Sequence, residues 1–269
     1  MTTSITPERY GPWAIVAGAS EGIGAAFSRR LAAQGINLVL VARREGPLDE
    51  LGRELRAEHG VETRVTPLDL SVPDAELALV DATDDLEVGL LVYNAGADEH
   101  GAFFLDVARE EWTAMVRRNC VVPMVAAHHF GTQMVDRGRG GLLLVTSGAA
   151  WAGGARLAPY AATKAFDLVL GESLWAEWRD RGVDVLSLVV GATSTPALLR
   201  LLDEKGTTVE QLDDPDDVAR QGLEHLADGP TWSMGVADGG GPSMLDGMRR
   251  RDAALAMSAG TDMIMGPRS

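Results

Sequence analysis

The chain has 269 residues and a formal net charge of −15, and 46% of its residues are apolar while only 5% are aromatic. This length and composition suit one large α/β domain, and the negative charge repels nucleic acid and anionic membranes, so neither is an expected partner. The single cysteine, Cys120, excludes an internal disulfide and a cysteine-based metal site, and with no signal-peptide core or long apolar run the sequence predicts a soluble cytoplasmic protein.

Apolar segments of strand length recur along the chain. They cover residues 13–18, 37–42, 61–70, 89–96, 141–147, 183–191 and, more weakly, 231–238. Most are continuous apolar runs, which is typical of strands buried on both faces of a parallel sheet. Segments with helical periodicity separate them, one closed by Gly35, one closed by Gly60 and one from Arg109 to Arg137. The sequence therefore predicts an α/β fold, with a single doubly wound, Rossmann-like parallel sheet of about seven strands and helices on both faces.

The loop after the first predicted strand is rich in glycine. Gly18, Gly22 and Gly24 have the spacing G-x-x-x-G-x-G and lead into a helix. The free N–H groups and the dipole of a helix N-terminus attract an anion, and glycine lets the backbone approach a pyrophosphate without a Cβ in the way. The spacing departs from the dinucleotide pattern G-x-G-x-x-G, and a tight strand-to-helix turn also needs glycine, so the motif alone leaves both interpretations open.

The second predicted strand is followed by two arginines. Ala42 stands where an acidic residue would bind the free 2′-hydroxyl of an adenosine ribose, and Arg43 and Arg44 follow it. Two guanidinium groups in an acidic protein suit a 2′-phosphate, because each can clamp it through paired charge-assisted hydrogen bonds, and Ser20 is a further donor. This pattern predicts NADP(H) as the cofactor. The alternative is that the two arginines begin a solvated helix face.

A serine, a tyrosine and a lysine follow the fifth predicted strand. Ser147 ends the strand, and Tyr160 and Lys164 are spaced to lie on one face of a helix. A lysine ammonium favours the phenolate of a neighbouring tyrosine, which makes Tyr160 a usable general acid or base. Ser147 Oγ can hydrogen-bond the substrate oxygen and orient its carbon. Alone, a Tyr-x-x-x-Lys pair more often means a phenol packed beside a solvated lysine.

Two other classes of site are not expected. His128 and His129 are adjacent on one predicted helix and cannot share a face, so we expect no metal. The G-x-S-x-G turn of serine hydrolases is absent around Ser147, because Val145 and Ala149 occupy its glycine positions.

The combination of these motifs resembles the classical short-chain dehydrogenases/reductases over residues 10–195. The residues that carry the resemblance are the glycine loop, Asp69, Asn94 to Gly96, Asn119, Ser147, Tyr160 and Lys164. The resemblance implies hydride exchange between a nicotinamide and a carbonyl, with Tyr160 protonating the carbonyl oxygen during reduction. Asn119, otherwise interpretable as a buried structural amide, would join Ser147, Tyr160 and Lys164 as a catalytic residue by supporting a proton-relay water.

The resemblance also implies a set of cofactor-binding residues. In it Asp69 would contact the adenine amine, although it could equally cap the next helix, and Thr195 would hold the carboxamide. The full set is Gly18, Ser20, Gly22, Ile23, Gly24, Arg43, Arg44, Asp69, Leu70, Asn94, Ala95, Gly96, Tyr160, Lys164, Thr193 and Thr195. Three positions depart from the family pattern, since Ala17, Tyr93 and Val190 stand where threonine, asparagine and proline are usual.

Four stretches carry a narrower likeness: YGPWAIVAGASEGIG (10–24), LVARRE (40–45), HGVETRV (59–65) and GATSTPALL (191–199). They concern the cofactor half and resemble the bacterial NADP-dependent hydroxysteroid dehydrogenases, in particular the 7β-hydroxysteroid dehydrogenases. The predicted substrate residues are Ser147, Trp151, Leu157, Tyr160 and Leu198, in a pocket formed by residues 97–103, 148–157 and the segment after Pro196. The apolar members, Trp151, Leu157 and Leu198, suit a bulky apolar ketone or alcohol such as a steroid. The alternative is that the leucines pack the lid helix onto the body of the protein or onto a partner subunit. A β-ketoacyl or polyketide-type ketoreductase is an alternative, as is a dinucleotide-binding regulator without turnover.

The motifs divide the predicted single domain, residues 1–269, into four stretches. Residues 1–9 are an N-terminal extension, residues 10–190 a core with the cofactor and catalytic residues, residues 191–230 a substrate lid region, and residues 231–269 the last strand and a C-terminal tail. Residues 243–258 of the tail are expected to form a surface helix or an oligomer contact. The family resemblance implies a homodimer or homotetramer that pairs through helices at residues 109–137 and 157–181.

Overall fold

One parallel sheet forms the centre of the molecule. The computed structural model describes residues 5–235, 245 and 247–265. Within them, seven parallel strands lie in the order β3-β2-β1-β4-β5-β6-β7. The strands are β1 Trp13–Ala17, β2 Asn37–Ala42, β3 Thr63–Pro67, β4 Val88–Tyr93, β5 Gly140–Ser147, β6 Val183–Val190 and β7 Thr231–Ser233. The chain order reverses direction between β1 and β4, which opens a crevice at their carboxyl ends.

Helices cover both faces of the sheet, which confirms the predicted doubly wound fold. The described helices are α1 Pro7–Tyr10, α2 Gly22–Ala33, α3 Glu45–His59, α4 Ala75–Asp81, α5 Arg109–Val116, α6 Val122–Arg137, α7 Ala158–Trp178, α8 Pro196–Lys205, α9 Pro215–Glu224 and α10 Arg250–Met265. Helices α2, α3 and α9 bury apolar side chains in one cluster. Helices α4, α6 and α7 pack in a second cluster on the other face. None of the described helices is long and apolar enough to span a membrane.

The predicted strand boundaries extend past the observed ladders at their carboxyl ends. The fourth strand ends at Tyr93, so Asn94 to Gly96 lie in the following loop. The third strand likewise ends at Pro67, three residues before the predicted end. In the loop after β3, Leu70 is buried in the apolar cluster that α4 and α6 also fill, which explains why the apolar pattern continues past the strand. Of the predicted last strand, residues 236–238 lie outside the described residues.

The predicted helix from Arg109 to Arg137 is helical throughout but changes pitch in its middle. A π-helical turn, Arg117–Val121, separates α5 from α6 and contains Asn119. Such turns insert an extra residue into the helical ladder and are frequent at functional sites. The predicted closures at Gly35 and Gly60 are observed, with left-handed φ angles of 80° and 69°.

The segment predicted as a substrate lid divides into two helices with different environments. Helix α9 belongs to the core, because Val218 and Ala219 are fully buried against the sheet face that α2 also covers. Helix α8 lies further out, where Leu199 is 47% exposed while Leu202 is buried. Only α8 therefore has the surface position that a lid needs, and its role as a lid stays a prediction.

Candidate active site

The glycine loop after β1 is packed against its own chain. A Cβ on Gly24 would lie 2.1 Å from Gly18 O, and one on Gly18 would lie 3.0 Å from Ala95 N. Gly18 also has a φ of +84°, which a side chain rarely tolerates. Close packing of the turn therefore explains glycine at positions 18 and 24. The same packing places the loop beside Asn94, whose side-chain amide donates to Gly18 O at 3.3 Å.

The N-terminus of α2 has no side-chain cap. Glu21 occupies the N-cap position, but its side chain makes no capping hydrogen bond. The carboxylate instead accepts hydrogen bonds at 2.6 Å from both Arg44 and Arg200. Burial opposes ionisation of Glu21, but the bonds from Arg200 and Arg44 outweigh it and lower its pKa. The first amides of α2 are thus left for an anion, since an uncapped N-terminus carries free donors and a positive dipole end.

The two arginines after β2 lie over the carboxyl edge of the sheet. Arg43 pairs with Glu99 at 2.6 Å, and Arg44 pairs with Glu21 at 2.6 Å. These ion pairs link β2 to the loops after β1 and β4, whereas a solvated helix face would pair within α3. Arg43 and Glu99 also line a cavity of about 220 Å³ together with Asp69. The cavity carries both acidic and basic side chains at the carboxyl edge of the sheet.

Asp69 forms a local turn at the end of β3. Its Oδ1 accepts hydrogen bonds from Ser71 N at 2.9 Å and Ser71 Oγ at 2.6 Å. Burial acts to raise the pKa of Asp69, but the Ser71 bonds and the charges of Arg43 and Arg118 lower it overall. Helix α4 begins at Ala75, so Asp69 does not cap it. An ionised carboxylate at this position can accept a hydrogen bond from an amino group.

Helix α7 places the predicted catalytic lysine against β5. Lys164 is 3% exposed, and its Nζ donates to Val145 O at 2.9 Å. The adjacent Thr146 Oγ1 donates to Lys164 O at 2.7 Å, which anchors the helix beside the strand end. Ser147 follows directly and accepts a hydrogen bond from Ala149 N at 3.2 Å through Oγ. The strand end and the first turns of α7 therefore form one surface.

Asn119 and Gly96 complete this surface. Asn119 is fully buried, and its Nδ2 donates to Thr163 Oγ1 at 2.9 Å. Thr163 in turn donates to Tyr160 O at 2.8 Å. A Cβ on Gly96 would lie 2.9 Å from Lys164 Nζ and 3.2 Å from Asn119 Oδ1. Glycine at position 96 thus keeps a space open between the amide oxygen and the ammonium, with Tyr160 one helical turn away on α7.

The remaining predicted cofactor residues have mixed surroundings. Ile23 and Leu70 are buried in the two apolar clusters, so their backbones are the parts available to a ligand. Thr193 is buried and donates to Gly191 O at 3.2 Å. Thr195 caps α8 by accepting from Leu198 N at 3.2 Å, and its methyl group faces the space beside Gly22. Ser20 is half-buried in the glycine loop.

The family departure at Tyr93 has a structural explanation. The Tyr93 hydroxyl donates a short hydrogen bond to the carbonyl of Arg118, inside the π-helical turn. Complete burial raises the pKa of Tyr93 well above its ordinary value, so it remains a neutral donor. Tyr93 thereby ties β4 to the turn that carries Asn119. Of the other departures, Val190 pairs with Ser147 in the sheet register, and Ala17 is buried in β1.

Two residues near the site escaped the sequence analysis. Arg118 donates to Asn119 Oδ1 at 3.2 Å and to Ala97 O at 2.7 Å, so it orients the amide and holds the loop after β4. Asp167 is 2% exposed and accepts a hydrogen bond from Lys164 Nζ at 3.2 Å. A carboxylate three residues after the lysine, inside the apolar run of residues 165–170, was the available signal for Asp167.

The C-terminal helix α10 covers the predicted substrate side of the site. Arg250 donates to Trp151 O at 2.9 Å, and Ala155 N donates to Ser258 Oγ at 2.9 Å. Trp151 also packs in a small apolar cluster with α10, and Trp151, Leu157 and Leu198 are all half-buried. A Cβ on Gly101 would lie 2.4 Å from Met265 Sδ, so the loop after β4 meets the same helix. Helix α10 therefore lies beside the predicted substrate pocket.

Known proteins share both the sequence and the fold of this chain. A family profile described as short chain dehydrogenase matches residues 12–205. The 7β-hydroxysteroid dehydrogenase of Clostridium sardiniense is 36% identical over 229 residues, which cover 85% of this chain and 87% of that enzyme.

Two solved structures extend the comparison to three dimensions. A 7β-hydroxysteroid dehydrogenase structure matches with a TM-score of 0.86 at 29% identity, covering 94% of this chain and 99% of that chain. A short-chain dehydrogenase from Sphingobium yanoikuyae in complex with NADPH matches with a TM-score of 0.76 at 27% identity, covering 96% of this chain and 97% of that chain. These similarities confirm the resemblance that the motifs indicated.

Proposed function

The chain belongs to the short-chain dehydrogenase family, and from that premise we propose that it is an NADP(H)-dependent oxidoreductase that interconverts a secondary alcohol and a ketone, with a bulky apolar substrate such as a steroid. One observation carries the proposal. Lys164, Asn119 and Gly96 meet beside the end of β5, one helical turn from Tyr160. This is the place where a substrate oxygen can exchange a proton with the protein.

The residues of this surface divide the chemical work among them. The nicotinamide, when bound, accepts or supplies the hydride. Ser147 Oγ hydrogen-bonds the substrate oxygen, and Tyr160 donates its proton to that oxygen in reduction and takes it back in oxidation. The Lys164 ammonium favours the phenolate form of Tyr160 in the oxidation direction and hydrogen-bonds the nicotinamide ribose. Asn119 holds the relay through which the proton reaches solvent.

The cofactor assignment rests on the crevice at the carboxyl ends of β1, β2 and β4. The glycines of the loop and the uncapped N-terminus of α2 suit a pyrophosphate. Asn94, Ala95, Gly96, Thr193 and Thr195 are proposed to line the nicotinamide half. The pair Arg43 and Arg44 is proposed to bind the 2′-phosphate, which would replace the carboxylates of Glu99 and Glu21 as their partner. The NADPH complex of the Sphingobium relative supports this choice.

Replacing Arg43 by alanine is expected to narrow the preference for NADPH over NADH. The variant loses a charge-assisted hydrogen bond to the 2′-phosphate, which contributes about 1.5 to 3 kcal/mol, whereas NADH has no group at that position. The dissociation constants of both cofactors, measured for the wild type and the variant, test this. Arg53→Ala, an exposed arginine on α3, is the matched control. A native preference for NADH would contradict the assignment.

The substrate proposal rests on the apolar side chains around the site. Trp151, Leu157 and Leu198 are half-buried, and Trp151 packs with Ala253 and Met257 of α10. A pocket formed by such apolar side chains would suit a rigid ring system. The relatives named as 7β-hydroxysteroid dehydrogenases support a steroid. A β-ketoacyl or polyketide-type ketoreductase would use the same catalytic residues.

A substrate panel separates these alternatives. We expect NADP(H)-dependent turnover with hydroxysteroids or ketosteroids and little with ketoacyl thioesters, because the latter are flexible chains that gain less from a rigid apolar pocket. The measurement is the change in NADPH absorbance with each compound under identical conditions. Turnover of ketoacyl thioesters without turnover of any steroid would favour the ketoreductase over the steroid dehydrogenase.

The assembly and location complete the proposal. A groove between α6 and α7 is lined by Met124, Leu170, Leu174 and Trp178, with Met124 45% exposed. A second copy of the chain is the proposed occupant, which gives a homodimer or, through a further contact, a homotetramer. We propose a cytoplasmic location, in keeping with the single cysteine.

A further inference from the structure

Asp167 is a buried carboxylate in direct contact with the proposed catalytic lysine. It lies on α7 three residues after Lys164 and is 2% exposed. Its Oδ2 accepts a hydrogen bond from Lys164 Nζ at 3.2 Å. Its Oδ1 is buried and has no hydrogen-bond partner within the described part of the chain. One carboxylate oxygen therefore has a hydrogen-bond partner, and that partner is the proposed catalytic lysine.

The stability of the fold does not explain this arrangement. Burial disfavours the charged carboxylate and raises the pKa of Asp167 to about 6, although Lys164 acts in the opposite direction. A buried ion pair often stabilises a protein no more than well-packed apolar residues of similar volume would. An unpartnered buried oxygen adds a further cost and calls for another explanation, such as a role in catalysis. Apolar residues at both positions 164 and 167 would avoid these costs, so the retained pair calls for a role other than stability.

The groups that face Asp167 from neighbouring elements leave Lys164 as its hydrogen-bonded counter-ion. Cys120, in the π-helical turn, has its pKa raised to about 12, chiefly by burial and then by Asp167. Tyr93, on β4, has its pKa raised well above its usual value for the same two reasons. Both side chains are therefore neutral at physiological pH. From β6, Ser187 Oγ donates to the backbone carbonyl of Asp167 at 3.4 Å and does not reach the carboxylate.

The contacts of Lys164 show what the carboxylate can control. An ammonium has three N–H donors, and two of them are taken by Val145 O and Asp167 Oδ2. These two bonds fix the direction of the third, which is available to the space beside Gly96. The negative charge of Asp167 also offsets part of the positive charge that Lys164 presents to its surroundings.

We propose that Asp167 is a positioning residue that holds the Lys164 ammonium and, through its own charge, sets how strongly that ammonium favours the Tyr160 phenolate. This inference rests on the proposed function, because it assumes that Tyr160 exchanges a proton with the substrate. An ionised Asp167 offsets part of the ammonium charge and so weakens the support that Lys164 gives to a negative charge on Tyr160. A neutral Asp167 leaves the full charge of the ammonium to act.

The Asp167→Asn variant tests this through the pH dependence of alcohol oxidation. The amide keeps an oxygen that can accept from Lys164 but removes the negative charge. We expect the acid limb of the kcat profile to move to lower pH by roughly one unit, the size of effect that a nearby unit charge has at an effective dielectric constant of about 20. Below about pH 6, where the wild-type carboxyl is itself protonated, the two profiles should converge.

The matched control is Asp180→Asn, an exposed carboxylate just after the same helix. The pH profile of kcat for Asp180→Asn should match that of the wild type. A purely structural role for Asp167 would lower the thermal stability of Asp167→Asn without moving the limb. A folded Asp167→Asn variant with the wild-type pH profile therefore overturns the proposal.

A second measurement covers the case in which Asp167→Asn does not fold or no oxidation substrate is found. Infrared difference spectroscopy of wild type and Lys164→Met follows the protonated carboxyl band against pH. Loss of the counter-ion should move the titration of one buried carboxyl to higher pH. If no carboxyl titration moves, Asp167 and Lys164 are not coupled and the proposal fails. Absence of NADP-dependent turnover in wild type and Asp180→Asn would instead contradict the proposed function, so the two failures are distinguishable.

Discussion

Replacing Tyr160 by phenylalanine is expected to lower kcat by about a hundred- to ten-thousand-fold, the usual contribution of a general acid or base. The substitution removes only the phenolic oxygen. The Thr163 hydroxyl donates to the backbone carbonyl of Tyr160, so this hydrogen bond within α7 is retained. The dissociation constant for NADPH should change little. Steady-state turnover and cofactor titration of the same preparation measure both quantities.

A second tyrosine in the chain provides the control. Tyr10 lies on α1, away from the carboxyl ends of the strands. Tyr10→Phe removes the hydroxyl that donates to Asp184 Oδ2 at 2.7 Å. It should cost stability, because Asp184 loses a partner, but leave kcat near the wild-type value. Undiminished turnover of Tyr160→Phe would show that the roles assigned here are wrong. Tight NADPH binding with no turnover by the wild type on any alcohol or ketone would favour the dinucleotide-binding regulator.

Replacing Gly24 by alanine is expected to weaken NADPH binding by about a hundred-fold. The added Cβ would lie 2.1 Å from Gly18 O and 2.9 Å from the Asn94 amide nitrogen, so the loop after β1 has to move. A displacement of about 1 Å in an active site can cost about two orders of magnitude in rate. We expect a loss of similar size in NADPH affinity, because the backbone donors of the loop no longer fit the pyrophosphate. The same crowding should lower the free energy of unfolding by about 1 to 3 kcal/mol, as overpacking usually does.

Gly46→Ala is the matched control for this change. Gly46 is in the first turn of α3, and a Cβ there meets nothing within 4 Å. Because alanine has a higher helix propensity, Gly46→Ala should leave NADPH affinity unchanged and raise stability by up to about 1 kcal/mol. Isothermal titration and thermal unfolding of both variants provide the comparison. Wild-type affinity in Gly24→Ala would mean that the cofactor does not contact this loop.

The fold class and the central residues of the candidate site could be predicted because their signals are local. Strand and helix periodicity repeats within a few residues, and the parallel βαβ order leaves few possible topologies. Ser147 at a strand end and Tyr160 four residues before Lys164 are likewise short-range patterns. The carboxyl ends of parallel strands then lie at one edge of the sheet, which predicts that these residues meet.

Contacts between distant parts of the chain were not predictable in the same way. The Arg43–Glu99 and Arg118–Ala97 interactions depend on how the loop after β4 folds back over the sheet edge. Helix α9 is amphipathic like any surface helix, and only its docking against α2 places it in the core. Nothing in a single sequence distinguishes an apolar face that packs inside from one that meets a partner.

The sequence by itself determined the α/β class, the order of the elements and the short-range spacing of Ser147, Tyr160 and Lys164, because backbone hydrogen bonding and side-chain periodicity are set by neighbouring residues. The tertiary structure alone decided that α10 packs beside the loop after β5, that Gly24 lies against Gly18 O, and that Asp167 is buried in contact with Lys164. These features depend on burial, and whether a side chain is buried is decided by the packing of elements far apart in the chain.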